Sequence, residues 1–230
     1  FGPDVEWVDS PDYDVDGATS SALLARYFRA LKINPIIYIP DRMKEGYGPN
    51  SPALLKLREQ GAALVITVDC GTLAFEPLAT AKAVGLDVIV VDHHLGEAKK
   101  PEAVAIINPN RLDEISPHRQ LAAVGVAFLL LVAVNRELRG REFFTASNPE
   151  INITQWLDIV ALGTVCDVVP LTGVNRALVA QGLKIMAGRR NIGMATILDN
   201  ARSDEKPNVY SCGFIIGPRI NAGGRVGKSD

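Results

Sequence analysis

Apolar residues in the first half of the chain occur in short, nearly continuous runs that alternate with stretches of helical periodicity. The runs indicate strands over residues 5–8, 34–39, 63–68, 87–91 and 104–107. The intervening segments predict helices, among them 51–60, 76–84 and one whose apolar stripe runs from Leu23 to Leu31. Apolar strands separated by helices are typical of a parallel sheet that is buried on both faces. The sequence therefore predicts an α/β fold with a five-stranded, mainly parallel sheet flanked by helices.

The pattern changes after Asn108, where helical periodicity dominates. Helices are predicted over residues 121–138, 153–160, 175–187 and 194–200. The apolar run 121–134 is 14 residues long, short of the roughly 20 needed to span a bilayer, so it predicts a buried helix and no membrane partner. The glycine-rich tail from residue 217 predicts a linker.

Composition and charge narrow the range of partners. The chain has 230 residues, a net charge of −2 and a pI near 6.0, which argues against a generally basic surface for duplex DNA but allows a local basic groove. Its three cysteines have no paired spacing. This pattern suits a reducing compartment and predicts a cytoplasmic protein.

Acidic and histidine side chains follow three of the predicted strands. The first strand leads to Asp12, Asp14 and Asp16, the third to Asp69, and the fourth to the pair His93 and His94, which Asp92 precedes. Because the carboxyl ends of parallel strands meet at one edge of the sheet, these groups are expected to lie together. Carboxylates and imidazoles are suitable ligands for Mn²⁺ or Mg²⁺. The sequence therefore predicts a metal-dependent enzyme acting on phosphate esters.

Each of these signals also has a purely structural interpretation. Asp16 would cap a helix that begins near Ala18, Asp69 would form a loop, and the two histidines would sit in a surface turn. Asp167, in an apolar stretch of the second half, is either the N-cap of a helix or a further metal ligand.

Basic and aromatic residues in predicted loops are candidates for substrate contact. Arg42, Asn110 and Arg111 are suited to binding phosphate, and Tyr47 is suited to stacking on a base. Two arginines of the tail, Arg219 and Arg225, are further candidates for contacts to a nucleic-acid backbone.

The combination of these motifs, in this order, resembles the DHH phosphoesterase superfamily, and within it the RecJ-type exonucleases. The segments that carry the resemblance are DYDVDGATS at 12–20, EGYG at 45–48, DCG at 69–71, VDHH at 91–94, Asp167 and GPRINA at 217–222. The resemblance covers roughly residues 12–230. It implies a catalytic DHH domain over residues 1–216, with an atypical beginning at 1–11, and the start of a linker toward a second, DHH-associated domain at 217–230.

The resemblance also implies a site and an activity. The implied ligands of two Mn²⁺ or Mg²⁺ ions are Asp12 or Asp14, Asp16, Asp69, His93 and Asp167. Asp92 and His94 would orient a ligand or contact the substrate, so that His94 joins the implied catalytic residues.

The implied reaction is hydrolysis of single-stranded DNA from its 5′ end in DNA repair and recombination. The implied enzyme is a monomer, with a single-strand-binding protein or a helicase as further partners. Two alternatives stay open, which are a DHH phosphatase of short oligonucleotides, cyclic dinucleotides or pyrophosphate, and an inactive DHH scaffold of replication.

Overall fold

The structure is a computed structural model that describes residues 7–9, 14–40, 46–203 and 205–226, with side chains from residue 14 to residue 222 within those ranges. The strands are β1 Trp7–Asp9, β2 Ile36–Ile37, β3 Leu64–Val68, β4 Asp87–Val91 and β5 Ala105–Ile107. The helices are α1 Val15–Ala30, α2 Ser51–Glu59, α3 Phe75–Ala83, α4 Ala123–Gly140, α5 Leu157–Cys166, α6 Gly173–Ala187, α7 Ile192–Asn200 and α8 Gly217–Val226. A 3₁₀ turn at Ile153–Trp156 precedes α5, and a π-helical segment at Ser211–Ile216 precedes α8. The predicted α/β fold class is confirmed.

The strands form one parallel sheet in the order β2-β1-β3-β4-β5. The first, third and fourth strands are therefore neighbours. In the central pair, Leu64 lies opposite Asp87 and Val68 lies opposite Val91, so β3 and β4 end level with each other. The residues that follow these two strands therefore emerge side by side at the carboxyl edge.

Alternate residues of the central strands face two separate cores, as the two-residue period of a strand requires. Val65 of β3 packs with Val88 and Val90 of β4 against α2 and α3. Ile66 and Val68 face the opposite side, where α1, α4 and the helices of the second half cover the sheet. The sheet is thus buried on both faces.

The second core joins the sheet to the helical half. Inside it, the Tyr27 hydroxyl of α1 donates to Asn135 Oδ1 of α4 at 2.7 Å, and Asn135 Nδ2 donates to the Ile151 carbonyl at 2.9 Å.

Within the described residues, no helix combines the length and the apolarity that crossing a membrane requires.

Several predicted elements differ from the structure. The structure begins α1 at Val15 and caps it with Asp14, so the prediction that Asp16 caps a helix near Ala18 is wrong. The strand predicted over 34–39 is only two residues long: within the described residues β2 is an edge strand that pairs with β1 alone, at two positions.

Two further differences concern the helical half. The helix predicted over 153–160 is divided into the 3₁₀ turn and α5. The tail is helical from Gly217 to Val226, although its glycines predict an irregular linker, and the preceding π-helical segment continues directly into it. The structure shows the conformation of this tail but leaves the predicted domain boundary at 216 untested.

A candidate metal centre at the carboxyl edge of the sheet

The residue that follows β3 has a backbone conformation that residues other than glycine rarely adopt. Asp69 has a φ of +60°, in the left-handed region where aspartate is several-fold enriched. Its amide donates to the Val91 carbonyl at 2.9 Å, and the residue is 2% exposed. The end of β3 is therefore fixed against the end of β4, with the Asp69 carboxylate buried between them and the helical half.

The loop after β4 is shaped by one buried carboxylate. Asp92 Oδ1 accepts the amides of His93 at 2.7 Å and His94 at 3.2 Å and contacts His94 Nδ1 at 2.7 Å, while Oδ2 accepts the Thr72 amide at 3.0 Å. Burial alone would raise the pKa of Asp92, but the hydrogen bonds from His94 and Thr72 outweigh it and lower the pKa below its usual value. Asp92 is therefore an anion that organises the loop, and the bonded His94 ring has a raised pKa because of this hydrogen bond.

His93 lies at the centre of the acidic cluster. Its Nε2 is 3.2 Å from Asp69 Oδ1 and 4.0 Å from Asp16 Oδ2, and its Nδ1 is 3.6 Å from Asp167 Oδ2. Two overlapping groups of donor atoms converge within 4.8 Å, one from Asp69, His93 and His94 and one from Asp16, His93 and Asp167. The structure therefore brings together side chains from four elements. Asp69 and His93 follow β3 and β4, whereas Asp16 lies in the first turn of α1 and Asp167 at the end of α5.

Asp16 is held by a helix N-terminus that the sequence does not reveal. It is 1% exposed, and its carboxylate accepts the amides of Ala123 at 2.6 Å and Val124 at 2.9 Å in the first turn of α4. Burial raises the pKa of Asp16 well above its usual value, and the charges of Asp69 and Asp167 raise it further. Because the two donors are backbone amides, no side-chain signature marks them in the sequence.

Asp167 enters the centre from the end of α5. It is the C-cap of that helix, with its amide donating to the Gly163 carbonyl at 2.9 Å, so the alternative that it is an N-cap is wrong. Burial and the charge of Asp14 raise the pKa of Asp167, while His93 lowers it. Asp14 itself serves as the N-cap of α1, where its Oδ1 accepts the amides of Asp16 at 2.8 Å and Gly17 at 3.1 Å.

This donor set fits a divalent cation. Buried carboxylates repel one another unless protons or a cation neutralise them. Burial is the main cause of the raised pKa of Asp16 and of Asp167, and the charge of a neighbouring acid raises each pKa further. Carboxylate oxygens with one imidazole nitrogen are the ligands that suit Mn²⁺ or Mg²⁺. Among the predicted ligands, Asp12 lies outside the described residues.

Of the predicted substrate-binding residues, some lie beside the metal centre and others are bound to partners elsewhere. Tyr47 is 61% exposed and its hydroxyl donates to the Asp69 carbonyl at 3.4 Å, which puts its ring beside the centre. Arg111 binds Asp113 and the Ile106 carbonyl, and Arg219 donates to the Ile215 carbonyl at 2.7 Å.

The other three candidates are Asn110, Arg42 and Arg225. Both amide hydrogens of Asn110 are engaged by backbone carbonyls, at 2.6 Å from His93 and 3.0 Å from Arg119. Arg42 lies outside the described residues, as does the side chain of Arg225. For all of these residues, contact with substrate stays a prediction.

The sequence did not reveal that two asparagines support the segments around the centre. Asn108, which is 3% exposed, donates to Thr72 Oγ1 and to the His94 carbonyl, each at 2.8 Å. Asn175, which is fully buried, donates to the Gln120 carbonyl at 2.6 Å. An asparagine after a strand, like Asn108, or in the first turn of a helix, like Asn175, is an ordinary local signal, so neither residue could be distinguished without its distant partner.

A parallel sheet that carries acids and a histidine at its carboxyl edge, covered by a helical half, defines an α/β domain with a candidate metal centre. The model of the DHH family, N-terminal domain, matches residues 10–164. The chain belongs to the DHH family.

Relatives and solved structures agree with this family. The chain is 44% identical over 219 residues to the single-stranded-DNA-specific exonuclease RecJ of Salmonella typhimurium, a match that covers 94% of this chain and 38% of that protein. A crystal structure of exonuclease RecJ bound to manganese is similar with a TM-score of 0.84 at 32% identity, covering 98% of this chain and 55% of that one. RecJ of Thermus thermophilus in complex with Mn²⁺ gives a TM-score of 0.78 at 29% identity, covering 98% and 31%. The chain therefore spans well under half the length of the curated relative.

Proposed function

We propose that this chain supplies the catalytic centre of a metal-dependent exonuclease that hydrolyses phosphodiester bonds of single-stranded DNA from the 5′ end. The observation that carries the proposal is the convergence of Asp16, Asp69 and Asp167 around the His93 imidazole. The similarity to proteins named single-stranded-DNA-specific exonuclease supports the choice of substrate.

The same four side chains would hold Mn²⁺, with Mg²⁺ as a substitute, and the predicted number of ions is two. Asp12 and Asp14 stay predicted ligands. The similar solved structures bound to Mn²⁺ support the choice of metal. When bound, such ions activate a water molecule and stabilise charge on the phosphoryl and leaving oxygens.

The chain's own residues prepare the site for that chemistry. The α4 amides of Ala123 and Val124 hold Asp16 in place, so that its carboxylate does not have to be ordered when a cation enters. The exposed ring of Tyr47 offers a face for a base next to Asp69, and stacking of this kind is tolerant of sequence.

Hydrolysis of 5′-labelled single-stranded DNA in a Mn²⁺ titration tests the proposal. We expect labelled mononucleotides to appear first, and Asp69→Ala to reduce the rate about a thousandfold, equivalent to about 4 kcal/mol of transition-state stabilisation. The matched control is Asp199→Ala, which removes an exposed acid that pairs with Arg189 on the surface. A folded Asp69→Ala protein with near-normal turnover would refute the assignment of the centre.

A substrate panel separates the proposal from its alternatives. Preference for cyclic dinucleotides, short oligonucleotides or pyrophosphate over long single strands would favour a DHH phosphatase. A folded wild-type chain that binds Mn²⁺ but hydrolyses none of these substrates would favour a scaffold. A monomeric state, a cytoplasmic location, and a helicase or single-strand-binding protein as partner stay predictions.

A further inference from the structure

Two consecutive backbone carbonyls just before α4 are each bound by an asparagine from a different part of the chain. Asn110 Nδ2 donates to the Arg119 carbonyl at 3.0 Å. Asn175 Nδ2, from the first turn of α6, donates to the Gln120 carbonyl at 2.6 Å. We call residues 119–120 the tie segment.

Each asparagine uses its second amide hydrogen to hold a segment of the metal centre. Asn110 also donates to the carbonyl of His93 at 2.6 Å. Asn175 also donates to the carbonyl of Pro170 at 3.0 Å, three residues after Asp167 in the loop that joins α5 to α6. The loop bearing His93 and the loop bearing Asp167 are therefore both fastened to the tie segment.

The tie segment itself leads into the first turn of α4, which holds Asp16. Gln120 is followed within three residues by Ala123, whose amide binds the Asp16 carboxylate at 2.6 Å, and then by Val124, whose amide binds it at 2.9 Å. A displacement of the tie segment would thus move the donors that hold Asp16 together with the carbonyls that hold the other two loops.

The burial of Asn175 indicates that its amide group is needed for its hydrogen bonds and not only to fill space. The residue is 0% exposed, and its Oδ1 has no hydrogen-bond partner among the described residues. Burying an amide oxygen without a partner is costly, and an apolar side chain would avoid that cost. What an apolar side chain cannot do is bind two carbonyls at once.

We propose that Asn110 and Asn175 are positioning residues of the metal centre. They fasten the loops of His93 and Asp167 to the tie segment and so keep the ligand side chains at the spacing that a cation requires. The proposal rests on the function proposed above, since it assumes that the centre binds a divalent metal ion. Partners that bond a ligating side chain directly typically contribute about 10- to 100-fold to metal affinity, and we take the same range for residues that hold the ligand loops through their backbone.

A matched control for Asn175 exists in the same helical half. Asn135 is also buried, at 4% exposed, and also uses its side-chain amide for two bonds, to the Tyr27 hydroxyl and the Ile151 carbonyl. None of these residues belongs to the metal centre. Asn135→Ala should therefore lower stability without changing the affinity for metal.

The experiment compares Mn²⁺ binding by calorimetry with thermal unfolding in the presence of a chelator. The proteins are the wild-type chain, Asn110→Ala, Asn175→Ala, Asn175→Asp and Asn135→Ala. We expect the Asn110 and Asn175 variants to bind Mn²⁺ about 10- to 100-fold more weakly, and Asn135→Ala to bind it like the wild type although it unfolds at a lower temperature. Asn175→Asp keeps the size of the side chain but turns an oxygen toward a carbonyl, so it should weaken binding as the alanine does.

The outcomes are distinguishable. Wild-type Mn²⁺ affinity in the folded Asn110 and Asn175 variants overturns this inference and leaves the proposed function standing. An equal loss of affinity in Asn135→Ala also overturns it, because the effect would then follow from lost stability alone. A wild-type chain that binds no Mn²⁺ overturns both. If Asn175→Ala does not fold, the half-buried Asn110 carries the same test.

Discussion

At the scale of single residues, the two adjacent histidines have different environments. The His93 side chain is 13% exposed and lies between Asp69 and Asp167, whereas the His94 side chain is 47% exposed and its Nδ1 is taken by Asp92. We therefore expect His93→Ala to weaken Mn²⁺ binding more than His94→Ala does. Calorimetric titration of both variants measures this. Equal losses, or a larger loss for His94→Ala, would reverse the two roles.

Asp16 makes a prediction about stability and pH in the absence of metal. Its pKa in the folded chain is raised above the usual 3.8 by burial and by the neighbouring acids. The folded state therefore binds this proton more tightly than the unfolded state does, so the contribution of Asp16 to stability is present below pH 3.8 and is lost as the pH rises through the folded-state pKa.

Replacing Asp16 with asparagine removes this dependence. We expect the free energy of unfolding of Asp16→Asn, relative to the wild type, to increase with pH over that interval. Asparagine leaves one of the two α4 amides without its acceptor, which shifts the difference by a constant and does not affect its slope. Urea unfolding in a chelator at several pH values measures the slope. A flat or falling difference would contradict the raised pKa.

At the scale of secondary-structure elements, α5 is held at its site by close helix packing. A Cβ added to Gly182 of α6 would meet the Leu157 carbonyl and come within 2.5 Å of the Ala161 Cβ, both on α5. A Cβ on Gly163 of α5 would come within 3.1 Å of Asp16 Oδ1. Because Asp167 ends α5, the approach of α6 to α5 helps to set where that carboxylate lies.

Gly182→Ala should therefore cost about 1–3 kcal/mol of stability through overpacking. The matched control is Gly140→Ala at the end of α4, where an added Cβ meets nothing within 4 Å; it should change stability by less than about 1 kcal/mol, in the stabilising direction. Denaturant unfolding of the two variants measures the difference. If Gly182→Ala were as stable as the control, the close packing of α5 and α6 would be wrong.

At the scale of the whole molecule, the centre joins the sheet to the helical half. Asp69 and His93 follow strands of the sheet, while Asp16 and Asp167 belong to α1 and the end of α5. A cation bound by all four would be lost on unfolding, so it stabilises the folded chain by mass action. At a concentration 100 times the dissociation constant, this gain is about 2.7 kcal/mol.

For a chain of this size, the gain corresponds to a rise of about 5–10 °C in the melting temperature. Thermal unfolding with Mn²⁺ and with a chelator measures it. The Asp69→Ala protein should show little of this rise, because it lacks one of the four side chains that surround the ion. An equal rise in both proteins would place the bound ion elsewhere.

The sequence by itself determined the fold class and which acidic and histidine residues follow the strands at the carboxyl edge of the sheet. Alternation of apolar runs with helical stripes depends on near neighbours along the chain, and it predicts the parallel sheet. Once strands are parallel, residues that follow them share an edge. For this reason Asp69 and His93 were predicted to meet, and the structure places their side-chain atoms 3.2 Å apart.

Only the tertiary structure decided how the remaining groups are held. The donors to Asp16 are backbone amides more than 100 positions away, and a backbone amide has the same chemistry at every residue. Asn175 is likewise an ordinary asparagine until its two carbonyl partners are known. The helical tail escaped prediction because glycine disfavours a helix locally. Packing determines the outcome instead: Ile216, which directly precedes the tail, is completely buried in the core, and Ile220 within the tail packs against it. Long-range contacts of this kind leave no periodic trace in the sequence, so only the folded chain reveals them.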